Sequence, residues 1–182
     1  MKEINIGNVP AALFGESSER VFIYVHGLMG SRLDAQGFAQ CAVQKGRQVL
    51  AVDLPQHGCR RDNAQLVPWE AVPELRQVMG YAQQHWQHIA VYAVSIGAWL
   101  SMQAFGGGVE KCLLLSPLVD MEGFIRGAMA QNGISEERLQ AEREIAIPTV
   151  SRFRGIISPT PAKTPSASPA PIRTYFTAKT MR

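Results

Sequence analysis

Ala93-Val94-Ser95-Ile96-Gly97 decides the fold of this chain. The apolar run Ile89 to Ala93 leads into it, and Ala98-Trp99-Leu100-Ser101-Met102-Gln103 leads out of it with helical character. Apolar strand, small-x-Ser-x-Gly turn and helix together are the sequence form of a nucleophile elbow. The chain must reverse sharply between strand and helix, and the reversal projects the serine hydroxyl from the strand end. The N–H groups that open the helix point the same way. A weak nucleophile beside unpaired N–H donors suits acyl transfer.

The same alternation extends to either side. Val21 to Val25 is a short β-branched and aromatic run ended by His26-Gly27. Gln36 to Lys45 has helical character, with Gly46 as its stop. Val49 to Val52 is the next strand, closed by Asp53-Leu54-Pro55, and Val72 to Trp86 carries apolar positions at helical spacing. After the strand Ile89 to Ala93 and the helix Trp99 to Phe105, Cys112 to Leu115 predicts a fourth core strand, ended by Ser116-Pro117. Short apolar strands alternating with helices predict an α/β fold, a mostly parallel sheet covered by helices on both faces. Sites on such sheets lie at the carboxyl ends of the strands. His26-Gly27, Asp53 to Gly58, Ser95 and Ser116-Pro117 all fall there.

Length and charge exclude other classes. The 182 residues fit one domain. All 15 acidic residues lie at or before Glu144, whereas six of the 18 basic residues follow it. The basic balance therefore belongs to the tail and argues for no nucleic-acid partner. Cys41, Cys59 and Cys112 have no metal or redox spacing, which fits reduced thiols in the cytoplasm. No run approaches a signal core or a membrane span, so no membrane association is expected. His85 and His88 lack Cys or acidic neighbours and read as a solvated helix end. No metal and no cofactor are expected. Residues 120–146 read as amphipathic helix, with Asn132-Gly133 as a break and Ser135 as a cap. Six of the eleven prolines lie between Pro148 and Pro171. The expected organisation is a core over 1–146 and a Pro/Ser/Thr-rich disordered tail over 147–182.

His26-Gly27-Leu28-Met29-Gly30-Ser31, Asp53-Leu54-Pro55-Gln56-His57-Gly58, Ala93 to Gly97 and Leu115-Ser116-Pro117 resemble, in order and spacing, the α/β-hydrolase fold family. The likeness is nearest to its bacterial esterase and serine-aminopeptidase-like branch and covers roughly residues 1–145. Two positions depart from the family pattern: Ala93 and Gln56 stand where it has glycine.

The resemblance implies a serine hydrolase that cleaves a small-molecule carboxylic ester or peptide-like amide through an acyl-enzyme. Ser95 would be the nucleophile. The N–H groups of Ile96 and Leu28 would hold the oxyanion, with Met29 the lesser donor. His26, Gly27, Asp53, His57 and Gly97 would support these loops, and 120–146 would form part of a lid. The family's acid and histidine contexts have no counterpart. No aspartate follows Asp120 and no histidine follows His88. Read from the third base of each codon, Thr174 to Arg182 permits Ile-Phe-Tyr-Gly-Glu-Asn-Asp-Glu, the family's strand and acid-bearing turn. The expectation is a C-terminally truncated relative, cut by a frameshift near residue 147. The alternatives are a genuine linker, a catalytically dead relative that only binds a ligand or partner, and an interaction protein acting through its tail.

Overall fold

The computed structural model describes residues 1–142, 144–148 and 173–177. The chain enters through a hairpin, β1 (Lys2–Ile6) and β2 (Val9–Phe14), joined by Gly7-Asn8. Gly7 takes φ 59°, the left-handed geometry that a two-residue hairpin loop requires. Next come β3 (Arg20–Val25), a 3₁₀ turn over Arg32–Ala35, α1 (Gln36–Gln44) and β4 (Gln48–Val52). They are followed by α2 (Pro68–His85), β5 (His88–Val94), α3 (Ile96–Ala104) and β6 (Lys111–Leu115). One six-stranded sheet results, ordered β1-β2-β4-β3-β5-β6. Its last four strands run parallel, and β2 pairs antiparallel with both β1 and β4.

Both faces of the sheet are covered, as the apolar runs require. One face presents Val21, Ile23, Val25, Leu50, Val52 and Val91 to Leu75, Val78 and Ala82 of α2 and to Ala98 and Leu100 of α3. The other presents Phe22, Tyr24, Val49 and Ala51 to Ala35 and to Ala39 and Ala42 of α1. The alanines of α1 let its axis come close to the sheet, while Phe38 packs edge-on against Phe22 with ring centroids 5.0 Å apart.

Three features differ from the sequence expectation. The N-terminal hairpin has no signature in the apolar pattern of the sequence. β1 is short and largely exposed, and β2 carries Pro10 and two alanines, so neither shows a strong strand pattern. α2 begins at Pro68 rather than Val72. Proline is tolerated at the first helical position, where its missing N–H would have no partner. β6 is not a core strand. It is the sheet edge, with Leu113, Leu114 and Leu115 exposed by 40%, 36% and 50%. A run of leucines has the same pattern at an edge as at the centre.

The chain divides into two units, Met1–Met121 and Glu122–Arg182. The second holds most of α4 (Met121–Gln131), then α5 (Glu136–Glu142), β7 (Glu144–Pro148) and β8 (Arg173–Thr177). The Asn132-Gly133 break occurs as read, with Gly133 at φ 63°. The Ser135 hydroxyl accepts the Arg138 N–H at 3.2 Å, which caps α5. The helical reading does not extend to residue 146, because Glu144–Pro148 pairs antiparallel with Arg173–Thr177. The rest of the segment expected to be disordered lies outside the described residues. Among the described residues, no helix is long and apolar enough to cross a membrane.

Candidate active site

Ser95 lies between the last residue of β5 and the first of α3, at φ 50° and ψ −118°. An L-residue avoids this region, at a cost of ~1–3 kcal/mol, and adopts it only where the surroundings over-determine it. Those surroundings are visible. The Ser95 N–H donates to the Leu115 carbonyl at 3.0 Å. The Ser95 carbonyl accepts from Ala98, Trp99 and Leu118 N–H at 3.1, 3.3 and 3.1 Å. Gly97 is required sterically: a Cβ there would stand 2.2 Å from the His26 carbonyl oxygen and 2.9 Å from that of Val25. The start of α3 therefore rests on the end of β3. A Cβ on Gly27 would stand 3.3 Å from Ser95 Cβ, so the loop after β3 runs beside the serine.

The nearby N–H groups divide into two kinds. Ile96 occupies the first position of α3, where no carbonyl of its own helix can reach it. Neither the Ile96 nor the Leu28 N–H has a hydrogen-bond acceptor among the described residues. The Met29 N–H is committed, donating to His57 Nε2 at 3.0 Å.

His26 and His57 each accept a backbone N–H from the loop that carries the other. His26, on the loop after β3, donates from Nδ1 to the Gly27 carbonyl at 2.7 Å and accepts the Leu54 N–H at Nε2, 3.0 Å away. His57, on the loop after β4, donates from Nδ1 to the Pro55 carbonyl at 2.7 Å and accepts the Met29 N–H. Carbonyls only accept and amides only donate, so each ring is the neutral Nδ1–H tautomer. Both rings are buried, with centroids 5.1 Å apart. Burial lowers the pKa of His26 to about 4 and lowers that of His57 as well. Both imidazoles are fully engaged and neither has a ring nitrogen left to receive the Ser95 proton.

Asp53, at the end of β4, has no solvent exposure. Its carboxylate accepts the Arg32 N–H at 2.7 Å, the Cys59 N–H at 2.9 Å and the Arg32 guanidinium. Burial alone would raise its pKa; these donors outweigh it and hold the carboxyl below the ordinary carboxylate range. Gly58, at φ 58°, gives it room, since a Cβ there would fall 2.1 Å from the carboxylate. Asp53 thus ties the loop after β4 to the turn after β3. Gln56 also sits at a positive φ, 64°, where a glycine would be unstrained, and its side-chain oxygen accepts the Leu66 N–H at 3.2 Å. Arg60 closes the loop onto α2 with a bidentate contact to Glu74, at 2.6 and 2.7 Å, and a second carboxylate partner in Asp62.

The fold therefore gathers Ser95, Ile96, Gly97, His26, Gly27 and Leu28 at one strand edge, with Asp53 and His57 behind them. His88 begins β5 and lies ~20 Å from Ser95 by strand length; it pairs with Glu110. Among the described residues, no three His, Cys, Asp or Glu side chains are placed to hold a metal. Arg32 and Arg60 went unread in the sequence because a buried arginine has no pattern that separates it from a surface one.

The comparisons agree with this architecture. The family described as "Alpha/beta hydrolase family" matches residues 22–179. MenH from S. aureus superposes with TM-score 0.54 at 11% identity, over 73% of this chain and 56% of that one. An esterase of Pyrococcus furiosus gives TM-score 0.55 at 19% identity, over 71% of this chain and 53% of that one. A putative hydrolase from Agrobacterium vitis S4 gives 0.61 at 14%, over 95% and 64%. This chain thus spans less than two thirds of the length of each. No curated protein sequence matches it.

Proposed function

The chain belongs to the α/β hydrolase family, and from that premise we propose that it is a serine hydrolase in which Ser95 attacks a carboxylic ester or peptide-like amide. The Ser95 Oγ bonds to the carbonyl carbon as its proton passes to a base. That proton goes to the departing alcohol or amine, and water then hydrolyses the acyl-serine to the free acid and restores the serine hydroxyl. The observation that carries the reading is the strained conformation of Ser95 between strand and helix, held by the loops on both sides. The N–H groups of Leu28 and Ile96, without an acceptor among the described residues, support a role as oxyanion donors. Losing one such donor costs ~2.7–4 kcal/mol of transition-state stabilisation. The cysteines, free of any framework among the described residues, support a cytoplasmic setting.

A second reading rests on the two histidines. Because both are engaged, neither His26 nor His57 can serve Ser95 as its base, which favours a relative that binds a carbonyl ligand without turnover. A fluorophosphonate probe separates the two. Labelling of folded native chain that disappears in Ser95→Ala supports the first reading. Folded native chain that takes no label overturns it in favour of the second.

A further inference from the structure

Met29 is one of four non-glycine residues held at positive φ among the described residues, here 65°, and it follows Leu28 directly. Its side chain is half exposed and offers no packing reason for that backbone state. Its N–H meets one acceptor, the Nε2 of His57, 28 residues further along the chain. That lone pair is available only because the ring proton sits on Nδ1, which donates to the Pro55 carbonyl. We infer that His57 is a positioning residue, whose Nε2 pins the Met29 N–H and thereby fixes the turn that presents the Leu28 N–H beside Ser95. The inference rests on the oxyanion role proposed above for Leu28, which gives the turn its consequence.

The geometry also explains why Met29 is not itself a donor to substrate. Its N–H cannot serve both His57 and an oxyanion, so the turn spends one amide to orient its neighbour. The neutral tautomer is essential. A second ring proton would set N–H against N–H and release the turn. The groups facing the ring are His26, from the loop after β3, and Asp53, from the end of β4 with its Arg32 partner.

Two substitutions divide the ring's two contacts. His57→Asn places an amide nitrogen near the former Nδ1, keeps a donor for Pro55 and removes the acceptor. His57→Gln places a side-chain oxygen near the former Nε2, keeps the acceptor and loses the donor. On the full ¹⁵N-labelled chain, His57→Asn is expected to move the Leu28 and Met29 amide resonances. It should also speed exchange of the Met29 amide by about tenfold, the equivalent of one lost hydrogen bond. His57→Gln is expected to leave both amides near their native positions. Unmoved amides in His57→Asn, or equal movement in both variants, would overturn the inference. If His57→Asn does not fold, acid titration of the native chain gives the same readout. The two amides should then follow the His57 ring resonance, and amides indifferent to it would count against the role. Fluorophosphonate labelling is measured on the same samples, with the rate expected to fall in His57→Asn and to recover in His57→Gln. If the native chain takes no label, acyl transfer is lost as a reading, while the amide response still decides what His57 does.

Discussion

Acidification from neutral to about pH 4 should destabilise the Met1–Met121 unit, with His26 contributing a separable part of the loss. The ring has no solvent exposure, and both nitrogens are engaged with groups that cannot exchange roles. Burial lowers its pKa from the ordinary 6.5 to about 4. In the unfolded chain the ring takes up a proton as the pH falls through 6.5; in the folded chain it does not until about 4. The unfolded state binds more protons across that window, so stability falls with pH there and levels off below it. The separation between the two values corresponds to about 3 kcal/mol. His57 adds a loss of the same sign, its pKa being lowered too. The Asp53 contribution falls in a different window. Its carboxyl titrates below the ordinary 3.8, so its stabilisation is lost only as the pH drops further. His26→Gln isolates the first effect, because a side-chain oxygen there can still accept the Leu54 N–H but cannot titrate. At neutral pH it should cost ~1 kcal/mol for the lost Gly27 contact. Urea unfolding at a series of pH values, followed by the fluorescence of buried Trp86, gives both stability curves. The native curve should fall toward that of His26→Gln and cross it before about pH 4. Parallel curves across the window would refute the claim that His26 is held neutral by burial.

Two further substitutions test the frame around Ser95. Gly97→Ala should destabilise the fold by at least ~2 kcal/mol, because its Cβ would meet two backbone carbonyls that cannot move without shifting the end of β3. A urea midpoint within error of the native one would show that α3 does not sit as close to β3 as described. Arg60→Lys should cost ~2–4 kcal/mol, since an ammonium cannot reproduce the fork that satisfies Glu74 and Asp62 from a site where the arginine side chain is 1% exposed. Thermal unfolding measures it, and an unchanged melting temperature would mean that the loop after β4 is not held by this ion cluster.

The parallel part of the sheet was legible because β3, β4 and β5 are buried on both faces and leave continuous apolar runs in the sequence. The strand–turn–helix around Ser95 was legible for a related reason, being encoded in nine or so consecutive residues that need no distant partner. The hairpin β1–β2 was hidden because its strands carry small, exposed or proline residues and are held by pairing, β1 with β2 and β2 with β4. The edge position of β6 was hidden because burial depends on what lies beyond the strand. The histidines show the same division within the site. Their positions follow from motifs, but their protonation follows from carbonyls and amides that the fold delivers: Leu54 to His26, and Met29 to His57, each across 28 residues. Spacing along the chain carries no record of such bonds.

Counting N–H groups at the strand edge makes the coupling of these parts explicit. Leu28 and Met29 on the loop after β3, and Ser95 and Ile96 on the turn after β5, carry four amides at the carboxyl ends of neighbouring strands. The Ser95 amide is used by the Leu115 carbonyl, which anchors the turn to β6. The Met29 amide is used by His57, which anchors the turn after β3 to the loop after β4. Those bonds hold two left-handed backbones that would otherwise relax. The remaining two amides, Leu28 and Ile96, each follow or precede an anchored one by a single residue, so neither can turn away to find a partner of its own. Asp53 underlies the arrangement: by accepting from Arg32 and Cys59 it spans the two loops that His26 and His57 bridge. A carboxylate engaged by donors from both loops is a brace between them. Under the function proposed above, these strand ends would present a hydroxyl and two amides to a carbonyl, with His26, His57 and Asp53 engaged in holding the loops that carry them.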